Sequence, residues 1–226
     1  MRYTTILLDV DDTLLDFSAC ERAAFCLTMQ QLQIPCDETM IHRYSEINRL
    51  WWDKFERGEI EKRQIMAGRY VQLAEEFHLK LDALQTGRLY ADYLSRQHVP
   101  MPDLQFALDY LSSRYRLYLA TNATAAVQQR RLEASGILPY VQGCFYSETA
   151  GAQKPEKAFF DHCFARIPDF VACQTLMLGD SLNSDILGAN RAGIDACWMN
   201  AKRLSRPSGL SIALEIHALR ELPDVL

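Results

Sequence analysis

The chain lacks the patterns that would put its chemistry on histidine or cysteine. Its five histidines are scattered, without the HxH or HExxH spacing that turns two imidazoles toward one metal. Seven cysteines (20, 26, 36, 144, 163, 173 and 197) make an odd number with no CxxC pair. Several, such as Cys144 and Cys197, have apolar neighbours, so they read as buried free thiols, not as disulfides or zinc ligands. No apolar run approaches the roughly 18 to 20 residues that cross a bilayer, and the apolar start breaks into acids after Leu8, before a signal-peptide core can form. A cytoplasmic protein with no membrane partner is expected. Basic charge is also in deficit, with 24 Lys and Arg against 29 Asp and Glu and a net charge of −5, which argues against a nucleic-acid polymer as partner. Internal repeats and low-complexity segments are missing too.

What the chain does have is 49% hydrophobic residues over 226 positions, enough for a core domain plus a smaller insertion. Ile6-Leu7-Leu8 is apolar without alternation, as in a strand buried on both faces at the centre of a parallel sheet. From about Ser18 to Gln97 the apolar spacing turns helical. Ser18 to Glu21 reads as a capping box that starts the first helix, and further helices are predicted over 38–56, 61–78 and 82–97. After Pro100 and Pro102 helices alternate with apolar runs, predicting strands at 4–10, 116–120, 143–146, 175–178 and 196–199, with helices ended by Gly136 and Gly193. The predicted architecture is α/β: a doubly wound, Rossmann-like parallel sheet formed by 1–16 and 100–226, with an inserted all-helical cap over 17–99.

Each strand exit is polar. Asp9 and Asp11, two apart, face one pocket if the strand continues, although Asp11, Asp12 and Thr13 also suit a capped turn. Thr121-Asn122-Ala123 precede the helical pattern 125–135, so the Thr121 hydroxyl and the Asn122 and Ala123 amides suit either an anion site or simple capping. Lys154 stands before Pro155, a residue suited to a first helical turn, and points either into the pocket or to solvent. Asp180 and Asp185 bring two more carboxylates to the same sheet edge. So much acidic charge is costly without a cation, and an all-oxygen donor set favours Mg²⁺.

Taken in order, the motifs DxDxT, Thr-Asn, Lys-Pro and GDSxxxD resemble those of the haloacid dehalogenase (HAD) superfamily, over 1–16 and 100–200, and the helical insert is similar to its type-C1 cap. The resemblance implies a Mg²⁺-dependent phosphomonoester hydrolase with an aspartyl-phosphate intermediate. It makes Asp9 the nucleophile and Asp11 the general acid and base. Lys154 would neutralise charge on Asp9 and the transferring group, with Thr121 and nearby amides on the phosphate oxygens. Mg²⁺ would be held by Asp9, the Asp11 backbone carbonyl and Asp180, with Asp185 acting through water or from outside the first ring of ligands. An acid at Asp11 also separates esters from halides, since halide departure needs no proton.

The first motif with its Leu14-Leu15-Asp16-Phe17 extension, the Glu56 to Glu59 turn and Gly151 to Pro155 resemble the YjjG-type 5'-nucleotidase branch. That implies a small-molecule phosphate ester as partner, a pyrimidine or non-standard nucleoside monophosphate, and a monomer or weak homodimer. Trp51, Trp52, Phe55 and Arg57 are the predicted base-contacting residues, though aromatics at helical spacing also suit a core. A sugar-phosphate phosphatase, a phosphonatase using Lys54, Lys62 or Lys80, and a phosphomutase remain as alternatives. So does a phospho-accepting signalling module, against which the large insert argues.

Overall fold

The computed structural model describes residues 2–226. Six parallel strands form one sheet in the order 3-2-1-4-5-6: β1 (Thr5–Leu8), β2 (Arg116–Thr121), β3 (Gly143–Tyr146), β4 (Thr175–Gly179), β5 (Asp195–Met199) and β6 (Leu214–Ile216). The chain winds from β1 outward through β2 to β3, then crosses to β4 on the other side of β1. That reversal opens a crevice at the carboxyl edge beside β1, where doubly wound sheets bind ligands. The sheet core matches the predicted class, with one addition: β6 has three residues, a length at which neither alternation nor an apolar run is distinct.

Both sheet faces are covered. Ile6, Leu8, Leu117, Leu119, Leu176 and Leu178 pack on one side with α5 (Leu104–Ser112) and α6 (Ala125–Ser135). Leu7, Tyr118, Ala120 and Met177 pack on the other with α7 (Ser147–Ala150), α8 (Lys157–Phe164) and α9 (Leu187–Ala192). The period-2 split of neighbouring residues between two cores explains why the strands read as unbroken apolar runs. Gly136 and Gly193 end α6 and α9 at φ 75°, as predicted.

Between β1 and α5 lie α1 (Phe17–Gln31), α2 (Glu38–Glu56), α3 (Lys62–Glu76) and α4 (Ala83–Leu94). They bury a separate cluster including Phe25, Tyr44, Ile47, Tyr70, Leu73 and Tyr90. Asp16, Asp37 and Asp82 cap α1, α2 and α4 by accepting from Ala19, Met40 and Gln85 N–H groups. The first helix therefore starts at Phe17, not in a Ser18 box: Asp16 caps it, and Glu21 turns inward to another partner. Similarly, Pro155 precedes α8 instead of opening it, and the Lys154–Pro155 bond is cis. Among the described residues no helix is long and apolar enough to cross a membrane, and every cysteine is a free thiol, with Cys173 exposed.

Candidate active site

Strand register gathers the site. Leu8 lies opposite both Leu119 and Leu178, so Asp9, Thr121 and Asp180 leave three adjacent strands within about one residue of a common level. β1 stops at Leu8. The Leu14 and Leu15 amides both donate to the Val10 carbonyl, at 2.8 and 2.9 Å, closing a loop in which Asp12 takes φ 58°. The two acids consequently do not share a strand face. The Asp9 carboxylate points at Lys154, while the Asp11 oxygens accept from Arg131 Nη1 at 2.6 Å and Gln128 Nε2 at 2.9 Å. Both still line one cavity of about 360 Å³, within the range of small-molecule sites.

Lys154 is the hub. Its Nζ donates to Asp9 Oδ1 at 2.6 Å, to Asp185 Oδ1 at 2.7 Å and to the Ala120 carbonyl at 2.7 Å, which spends all three of its protons. The residue is only 1% exposed, so it points inward and not to solvent. Asn122 holds it there: its side-chain amide donates to the Lys154 carbonyl and accepts from the Lys154 N–H, each at 2.9 Å.

The residues expected to bind an anion are arranged differently from expectation. α6 begins at Ala125 after a Thr124 cap, later than Thr121. The Ala123 N–H donates to Thr121 Oγ1 at 3.1 Å, and the Asn122 side chain serves Lys154. Ala123 is thus occupied by a local turn, whereas the Thr121 hydroxyl lines the cavity with its own proton unspent.

Oxygens of Asp9, Asp180 and Asp185 lie within 4.8 Å of one another, the one such cluster among the described residues. Asp185 is buried, and both its oxygens are used, Oδ1 by Lys154 and Oδ2 by the Ser181 N–H at 3.1 Å. It fits because Gly179 has no side chain: a Cβ there would stand 2.2 Å from Asp185 Oδ2.

Burial is the main force on these charges. It pushes the Asp9 carboxyl up against the pull of Lys154, with Asp185 adding to the rise. Asp180 is raised well above its ordinary value by burial, then by Asp9 and Asp185. Burial works against the Lys154 ammonium, but Asp185 and Asp9 outweigh it and hold the charge. Glu56, reaching in from the end of α2, is pushed up to about 7 by burial and by Asp185.

The four predicted base-contacting residues separate. Trp52 lines the cavity. Trp51 turns into the helical core, its Nε1 donating to Gln72 Oε1 at 3.0 Å and its ring filling the space over Gly68. Phe55 is buried edge-to-face against Trp52, with centroids 5.7 Å apart. Arg57 is exposed and pairs with Glu59 at 2.5 Å, outside the cavity. Of the candidate lysines only Lys62 lines the cavity, and it is engaged, donating to the Asn122 carbonyl at 2.7 Å and pairing with Glu148 at 3.0 Å.

Sequence reasoning missed Gln128 and Arg131, which grip Asp11, and a polar group on the helical wall, Glu21, Asn48, Arg69 and Tyr90. A Gln and an Arg three apart just after the Thr-Asn strand exit were the signal for the first pair. The wall residues come one from each of four helices and leave no local pattern.

A family model described as haloacid dehalogenase-like hydrolase matches residues 3–193. Among known proteins, the chain is similar to one named putative HAD-hydrolase YfnB, of Bacillus subtilis, 36% identical with 100% of this chain and 96% of that one covered. It is also similar to the pyrimidine 5'-nucleotidases PynA of Streptococcus pneumoniae, 34% identical over 100% and 96%, and YjjG of Escherichia coli, 27% over 100% and 99%. A crystal structure of YfnB bound to magnesium, described as revealing interdomain movement, superposes with a TM-score of 0.96 at 36% identity, covering 100% of this chain and 99% of that one.

Proposed function

The chain belongs to the haloacid dehalogenase-like hydrolases, and from that premise we propose that it hydrolyses phosphate monoesters through an aspartyl-phosphate, with pyrimidine or related nucleoside 5'-monophosphates as substrates. The observation that carries the reading is Lys154, buried and bonded to both Asp9 and Asp185 at the edge where Asp180 also emerges.

In this reading Asp9 attacks phosphorus in line with the leaving oxygen. Lys154 offsets the negative charge that gathers on Asp9 and the transferring group, and Thr121 donates its free hydroxyl proton to a phosphate oxygen. Asp11 protonates the leaving oxygen and then takes a proton from the water that cleaves the acyl phosphate. To do so it rotates away from Gln128 and Arg131, which occupy its two oxygens.

The donor set fits Mg²⁺: three clustered carboxylates, all oxygen, with more negative charge than one lysine balances. Asp9, Asp180 and the Asp11 main-chain carbonyl would hold the ion, and Asp185, its oxygens already engaged, would act through water. When bound, Mg²⁺ screens the anionic nucleophile from the anionic phosphate. The helical segment 17–99 serves as the cap, meeting the core through the Lys62, Glu56 and Phe55 corner.

Steady-state turnover of nucleoside monophosphates, sugar phosphates and 4-nitrophenyl phosphate, with and without Mg²⁺, tests this reading. Mg²⁺-dependent hydrolysis with UMP or dUMP preferred is expected. Absence of turnover on every ester would refute the phosphatase; equal rates on sugar phosphates would refute the nucleotidase.

A further inference from the structure

On the strength of the phosphatase reading, we propose that the helical wall of the cavity is a recognition site for a flat cyclic amide on the leaving group, read by Asn48, Arg69 and Tyr90 and stacked on Trp52. The site is built, not incidental. Glu21 (α1), Asn48 (α2), Arg69 (α3) and Tyr90 (α4) are each at most 4% exposed and line the same cavity as Asp9. Arg69 Nη1 donates to Asn48 Oδ1 at 2.5 Å, and Asn48 Nδ2 donates to Glu21 Oε1 at 2.6 Å. A buried charge pair meets directly when stability alone is at stake, because separation weakens the attraction that offsets desolvation. Here an amide is interposed, and it keeps one N–H and one lone pair unspent. That remainder matches the adjacent C=O and N–H of a cyclic amide.

The orphaned atoms point the same way. Among the described residues the buried side-chain N and O atoms without a partner are Arg69 Nε, Tyr90 Oη and Arg131 Nη2, and all three residues line this one cavity. Buried donors are almost always paired, so three unpaired ones on residues of a single cavity mark where its polar network is incomplete, the Arg69 guanidinium resting otherwise on the Tyr70 and Tyr90 rings, 4.9 and 4.7 Å from their centroids. Charge selects the ligand class. Glu21 opposes an anion on this wall, Arg69 opposes a cation, and the walls beside them, Trp52, Ile65 and Met66, suit a flat ring better than a hydroxyl-rich sugar.

Tyr90→Phe is the decisive variant, since the hydroxyl it removes makes no well-formed hydrogen bond within the protein. Two readouts are needed: the ratio of kcat/KM for UMP to that for ribose 5-phosphate, and uridine binding by calorimetry. The ratio should fall about five- to tenfold, chiefly through KM, and uridine should bind more weakly by the same factor. Asn48→Leu, checked by thermal unfolding, should lower the ratio by about a hundredfold. Wild-type protein that binds no uridine, a ratio within twofold in Tyr90→Phe, or parallel losses on both substrates would overturn the proposal. Uridine binding weakened by Tyr90→Phe in a protein that cleaves no ester would uphold the recognition site and refute the phosphatase.

Discussion

Gly179→Ala tests whether Lys154 works only while Asp185 stays in place. The new Cβ would stand 2.2 Å from Asp185 Oδ2 and 2.4 Å from its Cγ, against about 3.4 Å for an ordinary contact. The carboxylate must withdraw by roughly 1.2 Å, and its neighbours cannot follow: Gly179 is at the end of a strand paired on both sides, and Asp185 is fully buried. A retreat of that size along the Lys154 bond stretches 2.7 Å to nearly 4 Å, beyond hydrogen-bond range. Lys154 keeps Asp9 and the Ala120 carbonyl, so the stability cost is that of overpacking, about 1 to 3 kcal/mol, or some 2 to 10 °C in Tm for a chain of this length. Loss of position at the partner of the proposed nucleophile should cost more in rate, on the order of a hundredfold in kcat. Initial rates on UMP at saturating Mg²⁺, alongside a melting curve, give both numbers. Activity within twofold of wild type would refute the argument that the glycine exists to seat Asp185.

The remaining predictions use the same site. Asp9→Asn should abolish turnover without lowering Tm, because it removes one of three crowded carboxylates, and any activity above about a thousandth of wild type removes Asp9 as nucleophile. Asp11→Asn should slow hydrolysis and accumulate phosphorylated protein, visible as an added phosphate mass after an acid quench; wild-type rates would remove Asp11 from proton transfer. Thermal stabilisation by Mg²⁺ should be about 3 °C larger at pH 8 than at pH 6. The sign follows from Asp9 and Asp180, whose folded values are raised, and from Glu56 at about 7: between their unfolded and folded values the folded state holds protons the unfolded state has released. Stability without metal therefore falls as pH rises through that interval, and equal Mg²⁺ shifts at both pH values would refute the crowding. Trp52→Ala should lower kcat/KM for UMP about tenfold relative to ribose 5-phosphate, while Arg57→Ala changes neither by more than twofold; a strong Arg57 effect would contradict its position outside the cavity.

The sheet and its carboxyl-edge residues were legible because parallel strands advertise themselves twice, as apolar runs and as polar exits. Asp9, Thr121 and Asp180 were found at such exits, Lys154 and Asp185 in the polar segments that follow them, and all five line the cavity. Details set by backbone turns were not legible. The Val10 loop swings Asp11 onto Arg131, and the choice of Asp16 over Ser18 as cap depends on which of two good capping residues the loop leaves extended. Trp51 and Trp52 show a different blindness. Neighbours on a helix point about 100° apart, so one must face the helical core when the other faces the cavity, and only packing fixes which. The wall of Glu21, Asn48, Arg69 and Tyr90 is assembled across four helices, and no spacing along the chain records it.

The chain leaves the sheet and returns to it at almost the same place. The Asp16 N–H donates to the Val99 carbonyl and the Met101 N–H to the Leu14 carbonyl, each at 2.9 Å, and Leu15 bridges Pro100 in antiparallel sense. The insertion is therefore a bracket whose two ends are already tied, so its contents add little loop-closure entropy to the sheet and impose no change on strand order. Such a junction suits exchange. On the function proposed above, another helical segment joined at the same two linkers would keep the carboxylates and the lysine intact and bring its own wall, so substrate choice could change by exchange at two points while the chemistry stayed the same.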